Sequence, residues 1–155
     1  MRLQPGVHAR LVHLDHEITV VAGRDLGQHR GEVDHAQAGF GPDTGHLRWA
    51  GIDPAPFIRR YADRIGGIHI KDCFPDFLTP GSRAGLSYHE VQATKRLWAE
   101  PGLGVVDFAA VLAAIPADYD GDFMIEVDEP SVESRLESHR ISFEWARRGL
   151  TPRVG

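Results

Sequence analysis

Apolar residues from position 38 onward form short runs that alternate with longer amphipathic stretches. The short runs lie at 38–43, 68–70 and 123–127, each bounded by glycine, proline or acidic residues. Short apolar runs between turn residues are typical of buried strands. In the stretches between them, apolar residues recur three or four positions apart, as on one face of a helix. The pattern therefore predicts alternating strands and helices.

The clearest helix is predicted to begin at Asp53, a good N-cap residue, with Pro54 in the first helical position. It runs to Arg64, and the pair Gly66-Gly67 stops it. Further helices are predicted at 87–98, 106–115 and 131–148, turns at 100–104 and 120–121, and an irregular loop rich in proline, glycine, aspartate and serine at 73–85.

The first 37 residues are less regular: 7–12 and 18–22 are predicted as strands, whereas 24–35 is polar and ambiguous. Alternating strands and helices with short connections imply parallel strands and right-handed crossovers, so the fold class is α/β with three or four βα units. A closed eight-stranded (β/α)8 barrel of the TIM type needs about 250 residues. We therefore expect residues 1–155 to form a single partial TIM-barrel domain, either the C-terminal half or a truncated barrel.

Composition narrows the class of protein. A hydrophobic content of 42% is enough for a real core and argues against disorder. The formal charge is −5 and the basic residues are scattered, so neither nucleic acid nor a membrane surface is expected as a partner. No apolar run of about 18 residues is present to span a membrane. The lone cysteine, Cys73, excludes an internal disulfide and fits a reducing, cytoplasmic location.

Three polar residues stand at the ends of the predicted strands. Asp43 follows the first run, His69 lies in the second and Glu126 in the third. Two carboxylates and an imidazole are a ligand set for a hard-to-borderline divalent cation. The 26 positions between the first two (69 − 43 = 26) suit one strand–helix–strand step. We therefore predict that the three side chains converge on one metal ion.

Each of these residues also has a structural interpretation. Asp43, before Thr-Gly, can cap the following turn, and His46 can be a plain loop residue. His69, between isoleucines, can be a core histidine. A lone charge on Glu126 would be costly to bury, so it needs a bound cation or an ion pair with a positively charged side chain. Lys71, two positions beyond His69, faces the same way on an extended strand and can be that ion-pair partner.

Four segments of the chain together form a recognisable pattern: Phe40-Gly-Pro-Asp-Thr-Gly-His-Leu-Arg-Trp-Ala-Gly-Ile-Asp-Pro54, Tyr61-Ala-Asp-Arg-Ile-Gly-Gly-Ile-His-Ile-Lys-Asp72, Trp98-Ala-Glu-Pro-Gly-Leu-Gly-Val-Val-Asp-Phe108 and Tyr119-Asp-Gly-Asp-Phe-Met-Ile-Glu-Val-Asp128. With these segments, in the same order, the chain resembles the sugar phosphate isomerase/epimerase superfamily, the xylose-isomerase-like barrels that include inosose dehydratases and ketose 3-epimerases. The resemblance covers residues 38–148 and implies a (β/α)8 barrel with a divalent cation at its C-terminal mouth.

The resemblance implies a role for each matching residue. Asp43, His69 and Glu126 match the metal ligands, and Glu126 also matches the residue that moves the proton. His46 matches the histidine that contacts substrate hydroxyls, and Lys71 is placed to reach a substrate oxyanion. The cation can be manganese, magnesium, cobalt or zinc on this ligand set.

The relatives supply a fourth ligand from an earlier strand. The corresponding region here reads Val12-His-Leu-Asp-His-Glu-Ile-Thr19, a weak match. Its candidate ligands are His13, Asp15, His16 and Glu17, and nothing in the sequence selects among them.

The implied reaction is proton removal from a carbon next to a carbonyl or hydroxyl of a sugar, a sugar phosphate or a cyclic polyol. A cation stabilises the enediolate that forms, while Glu126 serves as the base and Lys71 or His46 as the electrophilic helper. Return of the proton gives isomerisation or epimerisation, our first expectation. Loss of a β-hydroxyl gives dehydration of the inosose type, the alternative within the same class.

A different expectation follows from length. A half-barrel leaves open strand edges and an uncovered apolar face. The chain is then a catalytically incomplete half-barrel that functions, if at all, only by association with another chain, for which a homo-oligomer is one arrangement.

Overall fold

The structure, a computed structural model, describes the backbone of residues 8–14 and 17–23 and both backbone and side chains of residues 40–150. Its strands are β1 (His8–Leu14), β2 (Glu17–Gly23), β3 (Gly67–Ile70), β4 (Asp72–Cys73), β5 (Trp98–Ala99) and β6 (Asp122–Glu126). Its α-helices are α1 (Thr44–Trp49), α2 (Pro54–Tyr61), α3 (Tyr88–Ala93), α4 (Phe108–Ala114) and α5 (Arg135–Gly149).

Three extended segments run parallel and carry the candidate site. β3 and β6 are parallel neighbours in the sheet. Residues 40–43 lie along the other edge of β3, through parallel bridges from Phe40 to Ile65 and from Asp43 to His69. The strand predicted there is thus present as isolated bridges, and the parallel order of segments is as predicted.

The N-terminal strands β1 and β2 are antiparallel, unlike the three segments that carry the candidate site. β1 and β2 form a hairpin, and β2 pairs antiparallel with the free edge of β6 to give the sheet order β1-β2-β6-β3. Both strands lie where the sequence predicts them. Only two residues separate Leu14 from Glu17. So short a connection permits antiparallel pairing only, since parallel strands need a crossover of a dozen or more residues.

Side-chain caps set where the helices begin. Asp53 accepts a hydrogen bond from the backbone N–H of Ala55 at the start of α2, as predicted. Ser87 and Glu90 form a reciprocal capping box at the start of α3. The helices predicted at 106–115 and 131–148 begin later, after the caps Asp107 and Ser134.

The helix predicted at 87–98 is correct only in its first half. α3 ends at Ala93, and Lys95 adopts a positive φ of 56°, a left-handed conformation that ends a helix. Trp98 then lies in β5, which pairs antiparallel with β4. The 3-10 turns Pro75–Phe77 and Gly81–Arg83 lie within the predicted loop. α1 was not predicted.

The core lies between β3, β6 and the helices. Ile68 and Ile70 of β3 and Phe123 and Ile125 of β6 are each at most 3% exposed, and the two strands pair them side by side. Successive residues of a strand point to opposite faces, so His69 faces away from this apolar layer. The partial α/β fold is the one expected for a truncated barrel. Among the helices of the described residues, none is long and apolar enough to cross a bilayer.

Candidate metal centre

The three predicted metal ligands converge. Asp43, His69 and Glu126 each offer a ligand atom, and these atoms all lie within 4.8 Å of one another. The three residues stand at the carboxyl ends of adjacent parallel segments, where the ends of a parallel sheet meet. Nδ1 of His69 lies 3.0 Å from Oε1 of Glu126. The cluster therefore has the residue types and the proximity that a cation site needs.

The Asp-Thr-Gly-His sequence, residues 43–46, packs against the end of β3. The hydroxyl of Thr44 accepts a hydrogen bond from the backbone N–H of Lys71 at 2.9 Å and donates one to the carbonyl oxygen of Lys71 at 2.7 Å. A Cβ added at Gly45 would lie 2.8 Å from Cγ of Lys71. The start of α1 thus docks against the end of β3, which holds Asp43 beside His69. These roles of Thr44 and Gly45 were not anticipated from the sequence.

His46 orients Asp43. Its backbone N–H donates to Oδ1 of Asp43 at 2.8 Å, and its ring Nδ1 lies 2.8 Å from Oδ2. Asp43 is therefore the cap of α1, as its structural interpretation predicts, and also a member of the candidate metal cluster. The side chain of His46 is 43% exposed, and its ring packs edge-on against Trp98. This is compatible with substrate contact, which stays a prediction.

Lys71 is the central charge of the cluster. Its side chain is 2% exposed, and its Nζ lies 2.6 Å from Oδ1 of Asp128, 3.3 Å from Oε2 of Glu126 and 3.4 Å from Oδ2 of Asp43. Nζ also lies 5.0 Å from the centre of the Trp98 ring. Burial disfavours the charged amine, but the carboxylates outweigh burial and raise the pKa of Lys71 above its usual range. The charged form of Lys71 is therefore favoured in the metal-free protein.

The same contacts keep the two candidate ligand carboxylates ionised. Burial raises the pKa of Asp43, but the hydrogen bond from His46 and the charge of Lys71 lower it further than burial raises it. Burial likewise raises the pKa of Glu126, and His69 and Lys71 reverse that effect. The hydrogen bond to Glu126 raises the pKa of His69 above 6.5. His69 therefore holds its proton more strongly than an ordinary histidine does.

The donor set fits a divalent cation. Two ionised carboxylates and an imidazole are oxygen and nitrogen ligands of the borderline type. The candidate ligand atoms of all three residues lie within 4.8 Å of one another, so a single cation placed among them could be bound by all three. The buried Lys71 ammonium on the same carboxylates shows independently that this position favours positive charge.

Sequence reasoning missed two acidic residues near the centre. Asp128 binds Lys71, and its spacing of two from Glu126 was the available signal, since it matches the spacing of His69 and Lys71. The carboxylate of Asp72 accepts four backbone N–H groups, from Cys73, Gly102, Gly104 and Val106, at 2.8 to 3.0 Å. Asp72 therefore ties the loop predicted as a turn to the strand end that carries Lys71.

The fourth ligand remains a prediction. The backbone register pairs Thr19 with Glu126 and Leu14 with Glu17, so Glu17 lies toward the carboxyl end of β6. The structure describes only the backbone of His13 and Glu17. Asp15 and His16 lie outside the described residues.

Residues 23–149 match the family model described as "Xylose isomerase-like TIM barrel". Among curated proteins, the chain is 35% identical over 108 residues to an inosose dehydratase of Geobacillus kaustophilus, and the aligned part is 68% of this chain and 35% of the relative. An inosose dehydratase of Clostridium botulinum is 33% identical over 98 residues, which are 61% of this chain and 32% of that relative. An inosose dehydratase of Bacillus thuringiensis is 33% identical over 108 residues, covering 68% and 36%. The matched part is thus about a third of each relative. No solved structure matches the chain significantly.

Proposed function

Since the chain belongs to the xylose isomerase-like TIM barrel family, we propose that it acts with a divalent metal on a cyclic polyol or sugar and removes a proton from a carbon next to a carbonyl. Dehydration of an inosose-type substrate is the first outcome to test, because the similar curated proteins carry the name inosose dehydratase. This places the sequence-based alternative ahead of isomerisation or epimerisation. The observation that carries the proposal is the cluster of Asp43, His69 and Glu126.

These three residues would hold the cation. A divalent cation there supplies Lewis-acid polarisation of the substrate oxygens, and manganese, magnesium, cobalt and zinc all suit the ligands. Asp43 is oriented for this role by His46, which contacts both of its carboxylate oxygens. The carboxylates are ionised before any cation arrives, so no proton has to leave Asp43 or Glu126 first.

Glu126 is the proposed base. One of its oxygens faces His69 and the other faces Lys71, so both lie inside the cluster. Its ionised form can take the proton from the substrate carbon, and the carbon–hydrogen electron pair then moves toward the carbonyl oxygen. The fixed ammonium of Lys71 stabilises the negative charge that develops on that oxygen.

Two outcomes share this first step. In dehydration, the electron pair returns from the oxygen and forms a carbon–carbon double bond as the hydroxyl on the next carbon leaves. That hydroxyl takes up the proton that Glu126 removed and departs as water. In isomerisation or epimerisation, the proton returns to the neighbouring carbon or to the opposite face. His46, half exposed beside Asp43, is placed to contact substrate hydroxyls in either case.

A second candidate is a half-barrel that is active only in association. The matched part of the chain is about a third of the length of its relatives. On α5, Leu136 is 79% exposed and Phe143 is 45% exposed, although both are large and apolar. They are seven positions apart and so lie on one helix face. Such a face favours contact with another chain or another part of the barrel.

One experiment separates these candidates. The chain is purified, its mass in solution and its metal content are measured, and inososes, ketoses and ketose phosphates are then supplied with manganese. A dehydrated product supports the first outcome, and an isomer or epimer of unchanged mass supports the second. Turnover by a dimer or larger species that holds about one cation per chain supports a half-barrel that is active by association. A metal-free chain that turns over no substrate and forms no defined oligomer supports the incomplete half-barrel and contradicts the enzymatic proposal.

A further inference from the structure

Lys71 makes its shortest polar contact with a residue outside the candidate metal ligands. Its Nζ lies 2.6 Å from Asp128, whereas Glu126 and Asp43 are 3.3 Å and 3.4 Å away. A nitrogen–oxygen distance this short is typical of a charge-assisted hydrogen bond. With the Lys71 side chain 2% exposed, water has little access to replace this partner. Asp128 is therefore the main anchor of the Lys71 charge.

Asp128 is itself held by aromatic residues. The hydroxyl of Tyr88 donates to Oδ2 of Asp128 at 3.3 Å. The indole N–H of Trp98 donates to the Tyr88 hydroxyl at 3.3 Å, and the Trp98 ring lies 5.0 Å from Nζ of Lys71. The contacts thus form a closed network in which Lys71 contacts Asp128, Asp128 contacts Tyr88, Tyr88 contacts Trp98, and Trp98 contacts Lys71. These residues come from β5, α3 and the ends of β3 and β6.

This network fixes the position of the Lys71 ammonium. The ammonium and a divalent cation repel each other, yet both are attracted to Asp43 and Glu126. An ammonium without another anchor would settle between those two carboxylates. Asp128 instead holds Nζ at 2.6 Å, so Glu126 and Asp43, at 3.3 Å and 3.4 Å, are not the main partners of the ammonium. Lys71 stays beside both carboxylates and within reach of a substrate oxygen.

We propose that Asp128, oriented by the Tyr88 hydroxyl, is the positioning residue that fixes the Lys71 ammonium beside Asp43 and Glu126. The proposal rests on the proposed function only in treating Lys71 as the charge that stabilises the substrate oxyanion. Neither Asp128 nor Tyr88 is assigned contact with the reacting atoms.

The lysine content of the chain permits a direct test. Lys71 and Lys95 are its only lysines, and the Lys95 side chain is 54% exposed. In protein labelled with 15N-lysine, hydrogen exchange of each ammonium can be measured by NMR. We expect slow exchange for Lys71 and rapid exchange for Lys95, which serves as the internal control.

Substitutions then identify the anchor. Asp128→Asn keeps the size of the side chain but removes its charge. We expect hydrogen exchange of the Lys71 ammonium to accelerate at least about tenfold, which corresponds to roughly 1.4 kcal/mol less protection against exchange. Asp128→Glu keeps the charge and should restore part of the protection. Tyr88→Phe removes only the hydroxyl and should accelerate exchange by a smaller factor.

The backbone amide spectrum reports whether each variant is folded. Unchanged Lys71 exchange in folded Asp128→Asn and Tyr88→Phe proteins would overturn the proposal. If Asp128→Asn does not fold, Tyr88→Phe decides alone, because the ring that packs against Trp49 is retained. The measurement needs neither metal nor substrate. A protein without turnover would therefore refute the proposed function and leave this inference to be judged separately.

Discussion

The Nδ1 atom of His69 lies 3.0 Å from a carboxylate oxygen of Glu126, across the boundary between β3 and β6. The hydrogen bond to Glu126 raises the pKa of His69, whereas a histidine that binds a cation must offer an unprotonated nitrogen. A cation bound at this position would therefore compete with the proton, and its affinity would depend on pH.

The first prediction concerns that pH dependence. The hydrogen bond to Glu126 raises the pKa of His69 above 6.5, whereas Asp43 and Glu126 have lowered pKa values and stay ionised. Binding a cation must displace the proton of His69, so affinity for Mn²⁺ should rise about tenfold per pH unit below that pKa and level off above it. Calorimetric titration between pH 5.5 and 8 checks this. A flat profile would contradict the assignment of His69.

The second prediction concerns His69 itself. His69→Ala removes a ligand, and we expect the Kd for Mn²⁺ to increase at least about tenfold, since even residues outside the ligand set change metal affinity by that factor. Elemental analysis and calorimetry measure the loss. His89→Ala is the matched control, because His89 is exposed on α3. Equal metal content in both variants would return His69 to the core-histidine interpretation.

The third prediction concerns turnover. Glu126→Gln removes a base and a ligand but little volume, so the protein should fold while kcat falls at least about a hundredfold. Activity on the substrate found by screening is measured beside circular dichroism. Glu137→Gln, on an exposed part of α5, is the control and should keep wild-type activity. A Glu126→Gln protein with full activity would remove Glu126 from the mechanism.

The fourth prediction concerns the packing of α1 on β3. Gly45→Ala places a methyl group 2.8 Å from Cγ and 3.1 Å from the carbonyl oxygen of Lys71. We expect the free energy of unfolding to fall by about 1–3 kcal/mol. Gly66→Ala is the control, since its added Cβ meets nothing within 4 Å. Urea denaturation compares the two variants, and equal stabilities would show that the close approach at Gly45 is relieved at no cost.

The fifth prediction concerns Asp72. Each of its two carboxylate oxygens accepts two backbone N–H groups. In Asp72→Asn, an amide NH₂ replaces one oxygen and leaves two buried N–H groups without an acceptor, which should cost at least about 2 kcal/mol of stability. Asp107→Asn is the matched control, because asparagine caps a helix as well as aspartate does. A loss as large in the control would contradict a special role for Asp72.

Local chemistry made much of this fold predictable. Asp53-Pro54 is a strong start signal, and α2 begins there. The hydrophobic residues around His69 and Glu126 predict strands, and β3 and β6 occupy those positions. The helix predicted at 87–98 was wrong beyond Ala93, because burial of Trp98 and pairing with β4 outweighed helical periodicity.

The sequence alone determined which residue types stand at strand ends, and therefore that Asp43, His69 and Glu126 are the candidates for one centre. Tertiary structure alone decided their partners. Lys71 is anchored by Asp128, and Asp72 faces the loop instead of the site. The physical reason is that successive side chains of a strand point to opposite faces of the sheet, so position along the strand determines the face. Which distant segment lies against that face depends on the register between strands, and only the folded chain sets that register.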